Sequence, residues 1–533
     1  MENSAVGYIK MPLLNVYTLI LLHSLNRRYT QFEYIYASIS GLMRNFVVVF
    51  VYFLCCFSAL AQGSATKPAV KKDNSYLISA TIKPYKNCWM YLGSYYGKNK
   101  VLVDSAYFNA NSQATFKGDK KLPKGIYFFV TPAHSLLFEI LMDDGQHFTV
   151  NADSAHLENI AITGSPDNDL FAAYSRYLAT IAPKLNYLQQ QLRNANNAAD
   201  SAAIIEQQKK FNKELNDYRE NIITTKPESM VATFFQSVKT PELNEWPKKA
   251  DGTPDSTAAW RYMKDHFWDG VNFYDNSLIR TPFFDPKLED YYKYYVSVEA
   301  DSVIKEVNYM LLASRSGKDI HQYLLGKFTD KYINPEIMGQ DKVFLFLFNN
   351  YFSKGDTLWL NEKQRKYIFD RAYSLMANQI NEDAPQLVLK DTTGNLASLY
   401  SVKAPFTFVV FWDPTCSHCK IEVPKLDSIY EAKWKQLGVQ IFAVNTNENM
   451  FDEWKKFINE NHLNGWHHAW QNREGRIADE QAGQANYRQL FDIYQTPTMY
   501  LLDADKKIIA KKLSIEQYDA VIEAKLKTKT TMQ

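Results

Sequence analysis

The chain predicts a multidomain protein: an N-terminal antiparallel β-sandwich, an α-helical middle domain and a C-terminal α/β domain. Three observations carry this. A length of 533 residues exceeds what one ordinary core organises. The apolar period changes along the chain from two, to three-and-four, to a mixture of both. Glycine, frequent early on, is missing between Gly164 and Gly252. A composition of 46% hydrophobic and 22% charged residues is that of a folded protein. The formal net charge is only +2 and no basic stripe is present, so a nucleic-acid partner is excluded.

Residues 1–61 are assigned to targeting. Met43 and Arg44 precede the apolar run "NFVVVFVYFLCCFSALAQG", which ends in the small-x-small pattern Ala59-Leu60-Ala61. The run is short for a membrane span, so an export signal cleaved after Ala61 and a periplasmic product are expected. Met43 is then the expected start, and residues 1–42 an over-extension. If the signal is not cleaved, the product is membrane-anchored. Cleavage leaves Cys88, Cys416 and Cys419, too few for a disulfide-stapled scaffold. Cys88 reads as a small apolar residue beside Trp89.

Residues 62–165 form the β-sandwich. "YLISATI", "CWMYLG", "KVLVDSAYF", "ATFKG", "GIYFFV", "LLFEILM" and "HFTVNA" are short strands, with turns at Gly93, Gly97, Pro123, Gly125 and Asp144-Gly145. Residues 166–381 form the helical domain. It opens on a long hairpin whose faces carry Leu185, Leu188 and Leu192, then Phe211, Leu215, Tyr218 and Ile222. The aromatic runs that follow, such as "HFWDGVNFYDN" and "VFLFLFNNYF", read as core; a sugar or peptide groove is the alternative. Residues 382–533 form the α/β domain. Strands "QLVLKD", "FTFVVFW", "VQIFAVN", "TMYLLDA" and "KIIAKKL" alternate with helices over 416–436, 449–461 and 514–525.

The chemistry concentrates in "FWDPTCSHCKIEVP". "FTFVVFW" is a buried strand, and Val423, Leu426, Ile429 and Tyr430 recur at helical spacing, so Cys416 sits where strand passes to helix and Cys419 one turn further on. Unpaired amides and the positive end of the helix dipole favour a thiolate at Cys416. Cys419, deeper in the turn, is placed to attack a sulfur bound to Cys416. His418 would favour the thiolate further, or is an exposed loop histidine. Glu422 stands three residues after Cys419, either as a proton relay or as a solvated helix carboxylate. Pro424 predicts a kink.

These residues, with "APQLVLKDTTGNLASLYSV" and "YQTPTMYLLDADKKI", resemble the thioredoxin-like fold and, within it, the TlpA/ResA-like exported thiol:disulfide oxidoreductases. The resemblance spans residues 384–525. It implies redox roles for Cys416 and Cys419, a disulfide between them in the oxidised state, and a cis-proline at Pro497 with Thr496 offering backbone to the substrate. It also implies tuning or substrate contact by Trp412 and His418. The chain departs from the pattern at Thr415, where a tryptophan is common, and at Val410, where thioredoxin has a buried acid. Glu422 or water is thereby left to move the proton. No organic cofactor or metal is needed, since the dithiol carries the electrons. Protein thiols or disulfides, an apocytochrome among them, are the expected substrates, and a membrane electron donor of the DsbD kind the redox partner. His418 leans towards an oxidant and the family towards a reductant; reduction is favoured. The two preceding domains resemble domains of unknown function in exported Bacteroidota proteins.

Rival readings are a peroxiredoxin-like peroxidase, a zinc site of Cys416, Cys419, His467 and His468, and a glycan- or peptide-binding protein whose redox domain is accessory. The peroxidase needs Pro-x-x-x-Thr-x-x-Cys, whereas Pro414, Thr415 and Cys416 are contiguous. Adjacent histidines rarely converge on one zinc.

Overall fold

A computed structural model describes residues 74–195, 197–243 and 245–531. The expected export signal lies outside the described residues. Among those described, no helix is long and apolar enough to cross a membrane.

The first eight strands are β1 (Tyr76–Lys83), β2 (Cys88–Tyr96), β3 (Asn99–Phe108), β4 (Gln113–Gly118), β5 (Gly125–Val130), β6 (Leu136–Met142), β7 (His147–Asp153) and β8 (Ala161–Thr163). They form two four-stranded sheets, ordered β4-β1-β7-β8 and β3-β2-β5-β6. Strict alternation on β1 buries Tyr76, Ile78, Ala80 and Ile82 between the sheets, where Phe116, Phe129 and Ile140 meet them. The pairing departs from a purely antiparallel sandwich at one place. β1 and β7 run parallel, from Leu77 opposite His147 to Lys83 opposite Asp153. The first and last long strands become neighbours only after the chain between them has paired elsewhere, which no local turn announces.

β5 is buried along its whole length because both of its faces are covered. Tyr127 and Phe129 point into the sandwich, while Ile126, Phe128 and Val130 pack on the helical region. That contact is close: Gly97 and Gly125 have positive φ, and a Cβ at either would strike Tyr323 or Arg280.

The helical region comprises α1 (Pro166–Arg193), α2 (Ala198–Thr225), α3 (Met230–Val238), α4 (Ser256–Asp265), α5 (Phe284–Tyr294), α6 (Ala300–Ala313), α7 (Lys318–Tyr332), α8 (Asp341–Asn350) and α9 (Glu362–Met376). α1 and α2 form the expected hairpin, capped by Ser165 and Asn197 and packed through the rings of Tyr174 and Tyr177 on Tyr218, with Leu215 and Ile222 buried. The aromatic runs are largely core: Phe267, Phe273, Phe284, Phe344, Phe348 and Phe352 are all buried, while Tyr274 and Tyr294 of the same runs are exposed.

The C-terminal sheet contains β9 (Val388–Lys390), β10 (Leu396–Ser398), β11 (Phe406–Trp412), β12 (Val439–Asn445), β13 (His467–Trp470), β14 (Thr498–Asp503) and β15 (Ile508–Lys511), in the order β10-β9-β13-β12-β11-β14-β15. β11, β12 and β13 are parallel, and β14 runs antiparallel to β11. Helices α10 (Ser417–Ile429), α11 (Phe451–Glu460), α12 (Arg473–Gln481), α13 (Tyr487–Leu490) and α14 (Ile515–Thr531) accompany it. Phe406, Phe408, Val410 and Trp412 of β11 face α10, α11 and α14; Val409 and Phe411 face Tyr487, Phe491 and the N-terminal Leu387 and Leu389. Cover on both faces is why "FTFVVFW" has no polar alternation beyond Thr407. Two buried ion pairs join this domain to the helices. Lys511 Nζ donates to Asp341 Oδ2 at 2.6 Å and to the Asn378 carbonyl at 2.7 Å, and Arg371 pairs with Asp492.

Candidate active site

β11 delivers the chain to the loop 413–416 at the C-terminal edge of the sheet. Asp413 shapes that loop: its Oδ1 accepts from the amide and the hydroxyl of Thr415, both at 2.7 Å, and its carbonyl accepts from the Cys416 amide at 3.1 Å. Asn447 Nδ2 donates to Asp413 Oδ2 at 2.9 Å, fastening the loop to the segment after β12. Sequence reasoning passed over Asp413, although Asp-Pro-Thr is turn chemistry that would have singled it out.

Cys416 is the N-cap of α10, with extended backbone and its Sγ 3.4 Å from the Cys419 amide. On the other side its Sγ stands 3.4 Å from the Thr496 carbonyl, and the Thr496-Pro497 bond is cis, as the family resemblance implied. Cys416 is half-buried. Partial burial pushes its pKa up, but hydrogen bonding by Thr496, by the Cys419 thiol and by the amides of Cys419 and His418 outweighs this, leaving the thiol below its ordinary value of 9.0. Cys419 is fully buried, and burial drives its pKa up to about 12. Both are unbridged thiols. The pair therefore consists of one accessible sulfur biased to thiolate and one shielded sulfur held as thiol.

The remaining expected residues fall differently. His418 is exposed next to the pair, and its backbone amide is what acts on Cys416. Trp412 is completely buried and packs on Phe457 with ring centroids 5.0 Å apart, so it supports the strand end from beneath and presents no surface to a substrate. Glu422 lies on α10 at the protein surface, where Lys425 Nζ donates to it at 2.7 Å; it is not among the groups that set the Cys419 pKa, which are its burial, the Asp413 backbone, Cys416 and Thr496. Helical spacing places the carboxylate one turn from Cys419, and the rotation of α10 that buries Cys419 leaves it at the rim. Val410 is buried in the core that also holds Cys419, so the thioredoxin acid position is apolar here. α10 continues through Pro424, whose carbonyl accepts from the Ser428 hydroxyl at 2.9 Å.

The zinc set is not assembled. His467 and His468 lie on β13, with β12 between it and β11, and their register, opposite Phe442 and Ala443, sets them back from the sheet edge that carries the cysteines. His468 Nε2 is engaged with the Leu463 carbonyl at 2.8 Å. Cys88 begins β2 and is half-buried beside the exposed Trp89, rather than fully enclosed.

Among solved structures, the thioredoxin domain of a thiol-disulfide oxidoreductase from Bacteroides vulgatus is 28% identical, covers 27% of this chain and 96% of its own, and has a TM-score of 0.24. The AhpC/TSA family matches residues 380–511, and two domains of unknown function, DUF4369 and DUF5106, match residues 76–171 and 220–367. The thiol-disulfide oxidoreductase ResA of Bacillus thuringiensis subsp. konkukian is 27% identical over 149 residues, 28% of this chain and 78% of its own length. ResA of Bacillus subtilis is 40% identical over 67 residues, 13% of this chain and 37% of its own length. The C-terminal domain is thus a thioredoxin-fold domain that matches the AhpC/TSA family and is similar to thiol-disulfide oxidoreductases of the ResA type, and it is preceded in the chain by two domains of unknown function.

Proposed function

We propose that this protein reduces disulfides in exported protein substrates through Cys416 and Cys419. The Cys416 thiolate attacks one sulfur of a substrate disulfide, forming a mixed disulfide and expelling the other sulfur as thiolate. Cys419 then gives up its proton and attacks the Cys416 sulfur. The substrate's second sulfur leaves, so two electrons have passed to the substrate and the protein holds a Cys416–Cys419 disulfide. A dithiol donor, of the DsbD kind by the family resemblance, returns the pair to its reduced form.

Thr496, whose carbonyl borders Cys416, offers main chain beside Pro497 for an extended substrate to pair with. His418 flanks the outer thiol at the surface. The Cys419 proton passes to water or to Glu422 on the same helix. The N-terminal apolar run supports export to the periplasm, and the ResA relatives support reduction as the working direction.

The observation that carries this reading is the placement of two thiols three positions apart, the half-buried Cys416 at the start of α10 beside the cis Thr496-Pro497 bond and the enclosed Cys419 one turn on. Incubation of the chain from residue 62 onwards in graded oxidised and reduced dithiothreitol tests it. Mass mapping is expected to find one reversible disulfide joining Cys416 to Cys419, and the reduced protein is expected to cleave the disulfides of insulin. A pair that stays open in oxidant, or insulin cleavage that survives Cys416→Ala, contradicts it.

A further inference from the structure

We infer that Tyr494 is a substrate-contacting residue of this redox site and that the helical region holds it in position, so that a disulfide carried on a polypeptide is read partly through the preceding domain. The inference rests on the roles just given to Cys416 and Cys419.

A cleft of about 360 Å³ opens beside Cys416, lined by Asp413, Asn447, Glu448, Arg488, Tyr494 and Thr496 among others. Thr496, which borders the Cys416 sulfur, thus also lines the cleft, and polypeptide flanking a bound disulfide passes along it. Most polar groups on the cleft wall are already occupied. Asp413 is engaged by Thr415 and Asn447, Glu448 accepts from Arg476 Nε at 2.7 Å, and the Arg488 guanidinium lies over the Tyr487 ring. Tyr494 differs. It is 68% exposed, a large aromatic surface two residues before Thr496.

An exposed aromatic is usually mobile, but this one is clamped from behind. The Arg371 guanidinium of α9 stands 5.0 Å from its ring centroid, and Ser374 Oγ of the same helix is 3.3 Å from its hydroxyl. The backbone that carries it is tied to the same helix and to Asn378 just beyond its end. Arg371 Nη1 donates to the buried Asp492, whose φ is +49°, and Asn378 Nδ2 donates to the Leu490 carbonyl at 2.8 Å. Arg371 is itself fixed by the Ile333 carbonyl at 3.2 Å and Asn334 Oδ1 at 2.9 Å. Residues 490–494, which lead directly into Thr496-Pro497, are therefore moored to the helical region. A rigid, exposed aromatic loses little conformational entropy on contact and suits an anchor for a peptide chain. Arg371 and Ser374 are positioning residues and Tyr494 makes the contact.

The test compares kcat/KM of the full mature chain for insulin with that for oxidised glutathione, a small disulfide that does not fill the cleft. Tyr494→Ala is expected to lower the ratio of insulin to glutathione kcat/KM about tenfold, chiefly through KM for insulin, with Tyr494→Phe retaining most of it. Arg371→Lys, which keeps the charge at Asp492 and loses the flat stack, is expected to move the ratio the same way by a smaller factor. An unchanged ratio in Tyr494→Ala, while the wild type reduces both substrates, overturns this inference alone. Equal losses on both substrates also overturn it, by showing a general effect on the fold. A wild-type chain inert towards both removes the redox reading and this one with it.

Discussion

Cys88 and Cys416 are both half-buried, unbridged and next to a tryptophan-containing strand, yet the fold treats them differently. Cys88 opens β2 and is paired across the sheet with Phe108, so the main-chain donors around it are spent in the ladder. Cys416 lies where β11 has ended and α10 has just begun, so the amides of His418 and Cys419 have no carbonyl partner one turn back and turn towards its sulfur. The difference teaches that the Cys416 thiol is lowered by its neighbours, Thr496, the Cys419 thiol and the unspent amides at a helix start, with exposure alone insufficient. None of these groups belongs to residue 415, so Thr415 in place of a tryptophan leaves them intact.

The comparison breaks most visibly by deletion. Cys416→Ala is expected to reduce insulin cleavage to the uncatalysed background, whereas Cys88→Ser is expected to change the rate by no more than about twofold, within the range of substitutions away from any special feature. Comparable losses in both variants would erase the distinction.

A finer contrast lies inside the pair. Alkylation of the reduced protein by iodoacetamide, resolved by peptide mass, is expected to label Cys416 with a rate that rises through a midpoint below 9.0, because its thiolate is favoured. Cys419, with its pKa pushed up to about 12, is expected to remain thiol and unlabelled across the same range unless the fold opens. Labelling of Cys419 at the lower pH would reverse the assigned roles.

Much of this architecture is legible in the sequence where one physical rule dominates. Alternation exposes β1, helical spacing exposes the α1–α2 hairpin, and an apolar strand running into Cys416 marks the redox turn. What escaped depends on partners far along the chain. "HHAW" carries too little alternation in four residues to mark a strand, yet it pairs with β12 as β13. The parallel pairing of β1 with β7 leaves no local trace. The family resemblance implies tuning or substrate contact by Trp412. Its place on the same face of β11 as Phe406, Phe408 and Val410 sends it into the core instead. The Arg371–Asp492 pair joins residues 121 positions apart, and nothing near either one signals the other. The sequence around Cys416 thus reveals the sulfurs proposed to react, while the support behind Tyr494 emerges only from the fold.

The division of labour between the sulfurs is tested most directly by trapping. The Cys419→Ala protein, mixed with oxidised insulin chains joined by their native disulfides, is predicted to accumulate a covalent adduct through Cys416 that reductant releases. Cys416→Ala is predicted to form none, because the remaining thiol is enclosed. An adduct of equal yield through Cys419 in that variant would contradict the account.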